Sequence, residues 1–354
     1  MKVLRGFWKP ATVTLALAVL VIVAAPALAA CGGKSSTAES SSWAGQGGIP
    51  PPTPTVAGTI AFERVVTPLI GGNGDIYVVN TDGTGLKQLT DDPAWEESPS
   101  WSPDGSTIAW VVGEGIDPDI APAFDYQPTP AVWVMNADGS GKVQLTTDRV
   151  HGDHPTWSPD GTQIAFLGYW PKKEAICVIN ADGSGLRQVT PATTTVLTGY
   201  GYEVIDFYVS PTWGSDGKIY YLQAGHLFSV NPDGSGRARL TGYRTIGVPG
   251  QKFALSPDGQ RLAVYVFTSD KHLRVVVIPT HGAGKKMTLL DDVSRFNAGD
   301  DFASSWAPDG RALALAAAGY SGRSSQLLIV NADASGLSAV PGVNGAADPA
   351  WRPE

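Results

Sequence analysis

Apolar and polar positions along the chain fall into short runs with the strand period, and nowhere after Gly58 do they follow the helix period. Six runs are built alike: Thr59-Ile60-Ala61-Phe62, Thr107-Ile108-Ala109-Trp110, Gln163-Ile164-Ala165-Phe166, Lys218-Ile219-Tyr220-Tyr221, Arg261-Leu262-Ala263-Val264 and Ala312-Leu313-Ala314-Leu315. Each predicts a strand buried on both faces, because β-branched and aromatic residues dominate with almost no charge. A second strand is predicted after each, over Ile76 to Asn80, Val132 to Asn136, Ile176 to Asn180, Leu227 to Asn231, Leu273 to Ile278 and Leu327 to Asn331. Short last strands such as Val143-Gln144-Leu145-Thr146 follow.

The turns between these runs repeat as well. Trp101-Ser102-Pro103-Asp104-Gly105 returns as Trp157 to Gly161, Trp213 to Gly217, Leu255 to Gly259, Trp306 to Gly310 and, in part, Trp351 to Glu354; the leading residues step by 56, 56, 42, 51 and 45. Pro presets φ for a turn, Asp suits the next position and Gly takes the left-handed one, so each copy joins two antiparallel strands. With four strands per unit, six units predict an all-β, six-bladed β-propeller. The first unit lacks the strand that ends in Trp, and Asp348-Pro349-Ala350-Trp351 supplies such a strand alone. The C-terminal segment is therefore expected to complete the first blade and close the ring.

The repeat of Pro, one residue, Trp-Ser-Pro-Asp-Gly, an apolar strand, and a second strand ending in Asn136-Ala137-Asp138-Gly139-Ser140-Gly141 or its equivalent resembles the propeller repeats of TolB and related WD-like proteins. The resemblance runs from Thr59 to Glu354 and implies an extracytoplasmic binding platform. It departs from TolB in lacking room for the α/β domain that precedes the TolB propeller.

Residues 1–30 read as a secretory leader: Lys2, Arg5 and Lys9, an apolar core from Ala11 to Ala25, then Leu28-Ala29-Ala30-Cys31. Leu, two small residues and Cys resemble the cleavage site of bacterial lipoproteins, with Cys31 as the lipidated residue. Residues 31–58, rich in Ser, Gly, Thr and Pro, form a tether, leaving 59–354 for the propeller. This predicts a protein exported to the bacterial cell envelope and held on a membrane by its lipid anchor.

Composition narrows the partners. The chain has 354 residues, 42 Gly, 27 Pro, 11 Trp and a formal net charge of −8, which argues against nucleic acid as a partner. Cys177 is the second of two cysteines and lies in an apolar strand, so no disulfide framework is expected. A monomer without cofactor is the expectation.

Antiparallel strands divide the loops between two faces. The Pro-Asp-Gly and Asn-x-Asp-Gly turns share one face and are near copies of each other, hence structural. Loops on the other face differ between blades, the longest spanning Gly113 to Pro130, Pro191 to Val209, Gly242 to Lys252 and Asp291 to Ala303. From these, Phe124, Tyr126, Trp170, Tyr202, Tyr208, Tyr243 and Phe296 are the candidate anchors for an envelope protein, peptide or glycan. Glu96, Glu97, Asp153, His154, Asp301 and Asp348, just before the innermost strands, are expected to ring one mouth of the central channel, where they suit a cation or a peptide amine. No four-ligand transition-metal set is placed by the sequence. No Gly-x-Ser-x-Gly occurs, and nothing marks a catalytic residue; the alternative to a binding protein is a metal-dependent, lactonase-like hydrolase at the channel mouth.

Overall fold

The computed structural model describes residues 56–65, 74–113, 130–147, 150–170, 173–194, 196–198, 201–203, 208–240, 253–267, 273–280, 286–290, 301–318 and 326–354. For residues 65, 194, 196–198, 201–203, 208–209, 267, 273, 301–302 and 317–318 only the backbone is described. Among the described residues there is no helix.

Six antiparallel blades are present, each of four strands, with a short fifth, Thr193–Thr194, paired to Lys173–Asn180 in blade 3. Blade 2 is typical: innermost strand Trp95–Trp101, then Thr107–Gly113, Ala131–Asn136 and Val143–Gln144 at the rim. Blades 3, 4, 5 and 6 begin with His151–Trp157, Tyr208–Trp213, Ala254–Leu255 and Asp301–Trp306. Blade 1 takes its innermost strand from Ala346–Trp351, which pairs with Thr59–Val65 in the register Ile60↔Trp351 and Ala61↔Ala350. The expected closure through the C-terminal strand is what the fold uses.

The core is six separate apolar layers, one between each pair of neighbouring blades. Phe166 and Ile164 of blade 3 meet Ala109 and Val132 of blade 2, for example, and Ile60 and Phe62 of blade 1 meet Ala312 and Leu327 of blade 6. Each blade is thus apolar on both faces, which is why its second and third strands carry unbroken apolar runs. In blades 3 and 6 the Trp at the end of the innermost strand is bonded to the blade before: Trp157 donates its indole N–H to the carbonyl of Ser100 at 3.2 Å, and Trp306 to that of Ala254 at 3.1 Å.

Small polar side chains hold the turns. Ser102 Oγ donates to Asp104 Oδ1 at 2.6 Å and accepts from Thr107 N at 2.9 Å, and Ser158 with Asp160 repeats this in blade 3. These bonds hold the Asp104 carboxyl down at about 2, and the same cause lowers Asp160. In the rim strands, buried Thr90, Thr146 and Thr190 accept from Ile76, Val132 and Ile176 N, which explains the repeated Leu-Thr or Val-Thr ending. The two turn families do share a face, since Ala137 N donates to Ser106 O at 2.8 Å. Cys177 is 1% exposed, and burial pushes its thiol up to about 12, so it is a packing residue.

One expected loop contains more order than its sequence suggested. Within Pro191 to Val209, Val196–Thr198 pairs with Gly201–Glu203 in a small hairpin, an alternation of apolar and polar residues too short to count as a strand signal.

Candidate functional site: the channel and its acidic mouth

The innermost strands enclose a channel of about 250 Å³ whose wall takes residues from every blade, among them Ser98, His154, Ser210, Phe253, Ser304 and Asp348. In blades 1 to 4 this wall is irregular. The pairing slips by a bulge between Glu97 and Ser100, between Asp153 and Thr156, between Val209 and Thr212, and opposite Ala61 and Glu63. At the slips of blades 1, 2 and 3 sits a non-glycine residue with positive φ directly before a proline: Ser98 at 54°, His154 at 54° and Asp348 at 45°. Such backbone costs on the order of 1–3 kcal/mol per residue and concentrates where a side chain must be aimed. Here the bulges set Ser98, His154 and Asp348 on the channel wall of three adjacent blades.

Carboxylates gather beside them. Ser98 Oγ donates to Asp348 Oδ2 at 3.0 Å, and carboxylate oxygens of Glu63, Glu97 and Asp348 lie within 4.8 Å of one another. Glu63 is 3% and Asp348 8% exposed. An all-oxygen set of this kind suits a hard cation such as Ca²⁺ and not a thiolate- or imidazole-seeking metal. Asp153 holds the neighbouring side: its Oδ1 accepts from His154 N at 2.6 Å and lies 2.9 Å from His154 Nδ1. Tyr169 lies close enough to Asp153, Glu174 and Glu97 for their charges to add to burial in raising its phenol well above 10.

Of the expected mouth residues, Glu97 and Asp348 are brought together, and His154, with Asp153 beside it, shares the channel wall with Asp348. Glu96 is not at the mouth. Successive strand residues point to opposite faces, so Glu96 turns into the layer between blades 1 and 2, where it is 1% exposed and its Oε1 accepts from the Trp110 indole N–H at 3.1 Å. Asp301 opens the innermost strand of blade 6, where only its backbone is described.

Sequence reasoning missed Glu63. A signal was present: Glu63 stands where the other five units carry Val111, Leu167, Leu222, Tyr265 and Ala316, so it alone interrupts an apolar column. Gly74 accommodates it, since a Cβ there would fall 2.5 Å from Glu63 Oε1 and 3.0 Å from the Glu96 carbonyl.

Of the aromatic candidates, Trp170 ends the second strand of blade 3, half-buried against the layer shared with blade 2. Tyr202 lies in the small hairpin and Tyr208 starts the innermost strand of blade 4. Phe124, Tyr126, Tyr243 and Phe296 lie outside the described residues, as does Cys31.

No family model matches the chain. A TolB homologue of Chlorobium chlorochromatii is 33% identical over 195 residues, 47% of this chain and 43% of that protein. The Tol-Pal system protein TolB of Anaeromyxobacter dehalogenans is 44% identical over 57 residues, 16% of this chain and 10% of that protein. The crystal structure of TolB from Acinetobacter baumannii superposes with a TM-score of 0.62 at 18% identity, covering 84% of this chain and 67% of that one. The chain is a β-propeller similar to that of TolB. It spans less than half the length of these two sequence relatives. At the inner edges of blades 1 to 3 the bulges, the positive-φ residues and the carboxylates coincide.

Proposed function

We propose that this TolB-like propeller is a binding protein of the bacterial cell envelope, exported by residues 1–30, lipidated at Cys31 and carried on the tether of residues 31–58. Its channel mouth and variable-loop face receive an envelope protein, peptide or glycan. One observation carries the reading: three adjacent blades spend strained backbone to set Ser98, His154 and Asp348 on the wall of an acidic channel. Negative charge gathered at a partly closed mouth attracts a cationic group, such as a peptide amine or a basic side chain, and the rim aromatics add apolar contact around it. The TolB names of the relatives support a binding role.

Capture from cross-linked cells with the full chain as bait, read by mass spectrometry, tests this. The paired change Glu97→Gln with Asp348→Asn, and separately Trp170→Ala, are expected to lower partner recovery about tenfold or more, on the scale of 2 kcal/mol for a good anchor. Asp138→Asn, on the turn face, should leave recovery per folded molecule unchanged. Equal recovery with all three variants, each folded, would overturn the assignment to this face.

Anchoring has its own test. Cys31→Ser should move the protein from the membrane to the soluble fraction, and mass spectrometry of the wild type should show acyl chains on Cys31. A wild-type N-terminus without acyl groups refutes the lipid anchor.

A second reading, a metal-dependent hydrolase, has the Glu63, Glu97 and Asp348 oxygens in its favour. Metal analysis of the purified protein followed by lactone and ester hydrolysis assays separates the two.

A further inference from the structure

On the turn face, opposite the channel mouth just described, three of the six gaps between blades are closed by a long polar or cationic side chain. Between blades 1 and 2, the Arg352 guanidinium lies over the Trp101 ring, 5.2 Å from its centroid. Between blades 5 and 6, Arg261 lies over Trp306 at 4.6 Å and donates Nη2–H to the Gly310 carbonyl at 2.9 Å, with Asp258 3.9 Å away. These arginines come from different places in the repeat. Arg352 directly follows the Trp of its innermost strand, and Arg261 directly precedes the apolar run of its second strand.

Blade 2 has a small residue at both places, Ser102 and Thr107, so Trp157 of blade 3 receives no guanidinium from either. The next gap on, between blades 3 and 4, is again filled: Gln163 takes the place of Thr107 and accepts from Arg187 Nη2 at 3.1 Å, and Arg187 takes the place of Val143. Val143 itself is 54% exposed. The result is a cavity of about 670 Å³ between blades 2 and 3, lined by Ser102, Asp104, Thr107, Asn136, Trp157 and Asp160 among others. Its volume is that of a ligand site and far exceeds one side chain.

The lining is chemically selective. Trp157 offers an aromatic surface, and Asp104 and Asp160 are carboxylates kept ionised by their own turns. The turn bonds to Asp160 all converge on Oδ1. An aromatic face and carboxylates on one lining suit a planar, forked, permanently charged guanidinium better than an ammonium. The protein itself stacks a guanidinium on the equivalent Trp101 and Trp306, in the second case with the Asp258 carboxylate 3.9 Å away.

We propose that the gap between blades 2 and 3 is a binding site for an arginine side chain of a partner polypeptide, whose guanidinium stacks on Trp157 and pairs with Asp104 and Asp160. The site is independent of the channel mouth and lies on the other face. The volume beyond the guanidinium accommodates the residues flanking the arginine, and exposed Val143 stands at the rim strand of the same blade.

The test uses the full chain in detergent micelles, labelled with 5-fluorotryptophan, with the Trp157 resonance assigned by Trp157→Phe. The probe is the blocked tripeptide acetyl-Gly-Arg-Gly-amide, compared with its lysine and citrulline counterparts. The arginine peptide is expected to shift the Trp157 resonance saturably, with the citrulline peptide at least tenfold weaker and the lysine peptide between them. Thr107→Arg, which supplies in cis what Arg261 supplies in blade 5, should abolish the response and raise the melting temperature. Equal responses to arginine and citrulline peptides would overturn the proposal, and so would undiminished binding by a folded Thr107→Arg variant. The channel pair Glu97→Gln with Asp348→Asn should leave the titration unchanged, so failure here is distinct from failure of the channel reading.

Discussion

A chain ending before Asp348 should lose most of the stability of its first blade, and with it the closure of the ring. Trp351 is 5% exposed and packs among Ile60, Phe62 and Ala312, so its truncation to Ala alone is expected to cost about 3–5 kcal/mol. The deletion removes more. Arg352 N donates to the Thr59 carbonyl at 2.8 Å, Trp351 N donates to Ser305 Oγ of blade 6 at 2.9 Å, and Arg352 covers Trp101 of blade 2. Seven residues thus join three blades. Their loss also exposes the pairing edge at Ile60 and Ala61, an invitation to aggregation. Set against a typical total of about 5–15 kcal/mol, the deletion should leave at most a partly folded protein at physiological temperature. Thermal melting of Trp351→Ala and of the truncated chain, with hydrogen exchange at Ile60 to Phe62, checks this. A truncated protein that melts like wild type would mean that the first blade does not depend on this strand.

Glu96→Gln should stabilise the protein above neutral pH and flatten its pH dependence. Burial pushes the Glu96 carboxyl from the ordinary 4.5 up to about 7, against the opposing hydrogen bonds from Thr90 and Trp110. In the unfolded chain the group ionises near the ordinary value, so between about 4.5 and 7 the folded protein holds a proton that the unfolded chain has released. The stability linked to this group is therefore fully present below about 4.5 and is lost as pH rises through about 7. At about 1.4 kcal/mol per pKa unit the loss is on the order of 3 kcal/mol. Gln keeps an acceptor for the Trp110 indole and carries no charge to bury. Denaturant midpoints of wild type and Glu96→Gln should coincide near pH 4.5 and separate progressively to pH 8, with the variant more stable. The turn aspartates act in the opposite sense and elsewhere: Asp104, Asp138, Asp160 and Asp182 are lowered from 3.8 by their Ser and Thr partners, so their contribution is lost only in stronger acid. A constant difference between the two proteins from pH 4.5 to 8 would show that Glu96 does not titrate in this range.

The repeat made the fold legible because every unit solves the same local problem. Pro-Asp-Gly and Asn-x-Asp-Gly allow few backbone courses, apolar runs such as Ile176 to Ile179 bury on both faces, and a Trp351 without its own second strand leaves only one vacancy for it, in blade 1. Local chemistry of this kind needs no partner from far along the chain. The charged mouth was legible only in outline. Glu96 and Glu97 are neighbours with similar side chains, yet one is sealed against Trp110 and the other meets Asp348, some 250 positions away, because strand alternation and a bulge at Ser98 part them. Glu63 announced itself as a charge in an apolar column, but its companions were set by the ring closure that brings blade 1 beside blade 2. The gap at Trp157 was the least legible: Ser102 and Thr107 are unremarkable turn residues, and only the distance from Arg261 to Trp306 and from Arg352 to Trp101 shows what they leave unfilled. Turns and strands follow from residues a few positions apart, whereas the mouth and the gap depend on which side chains adjacent blades present to each other, and that is decided by packing around the ring.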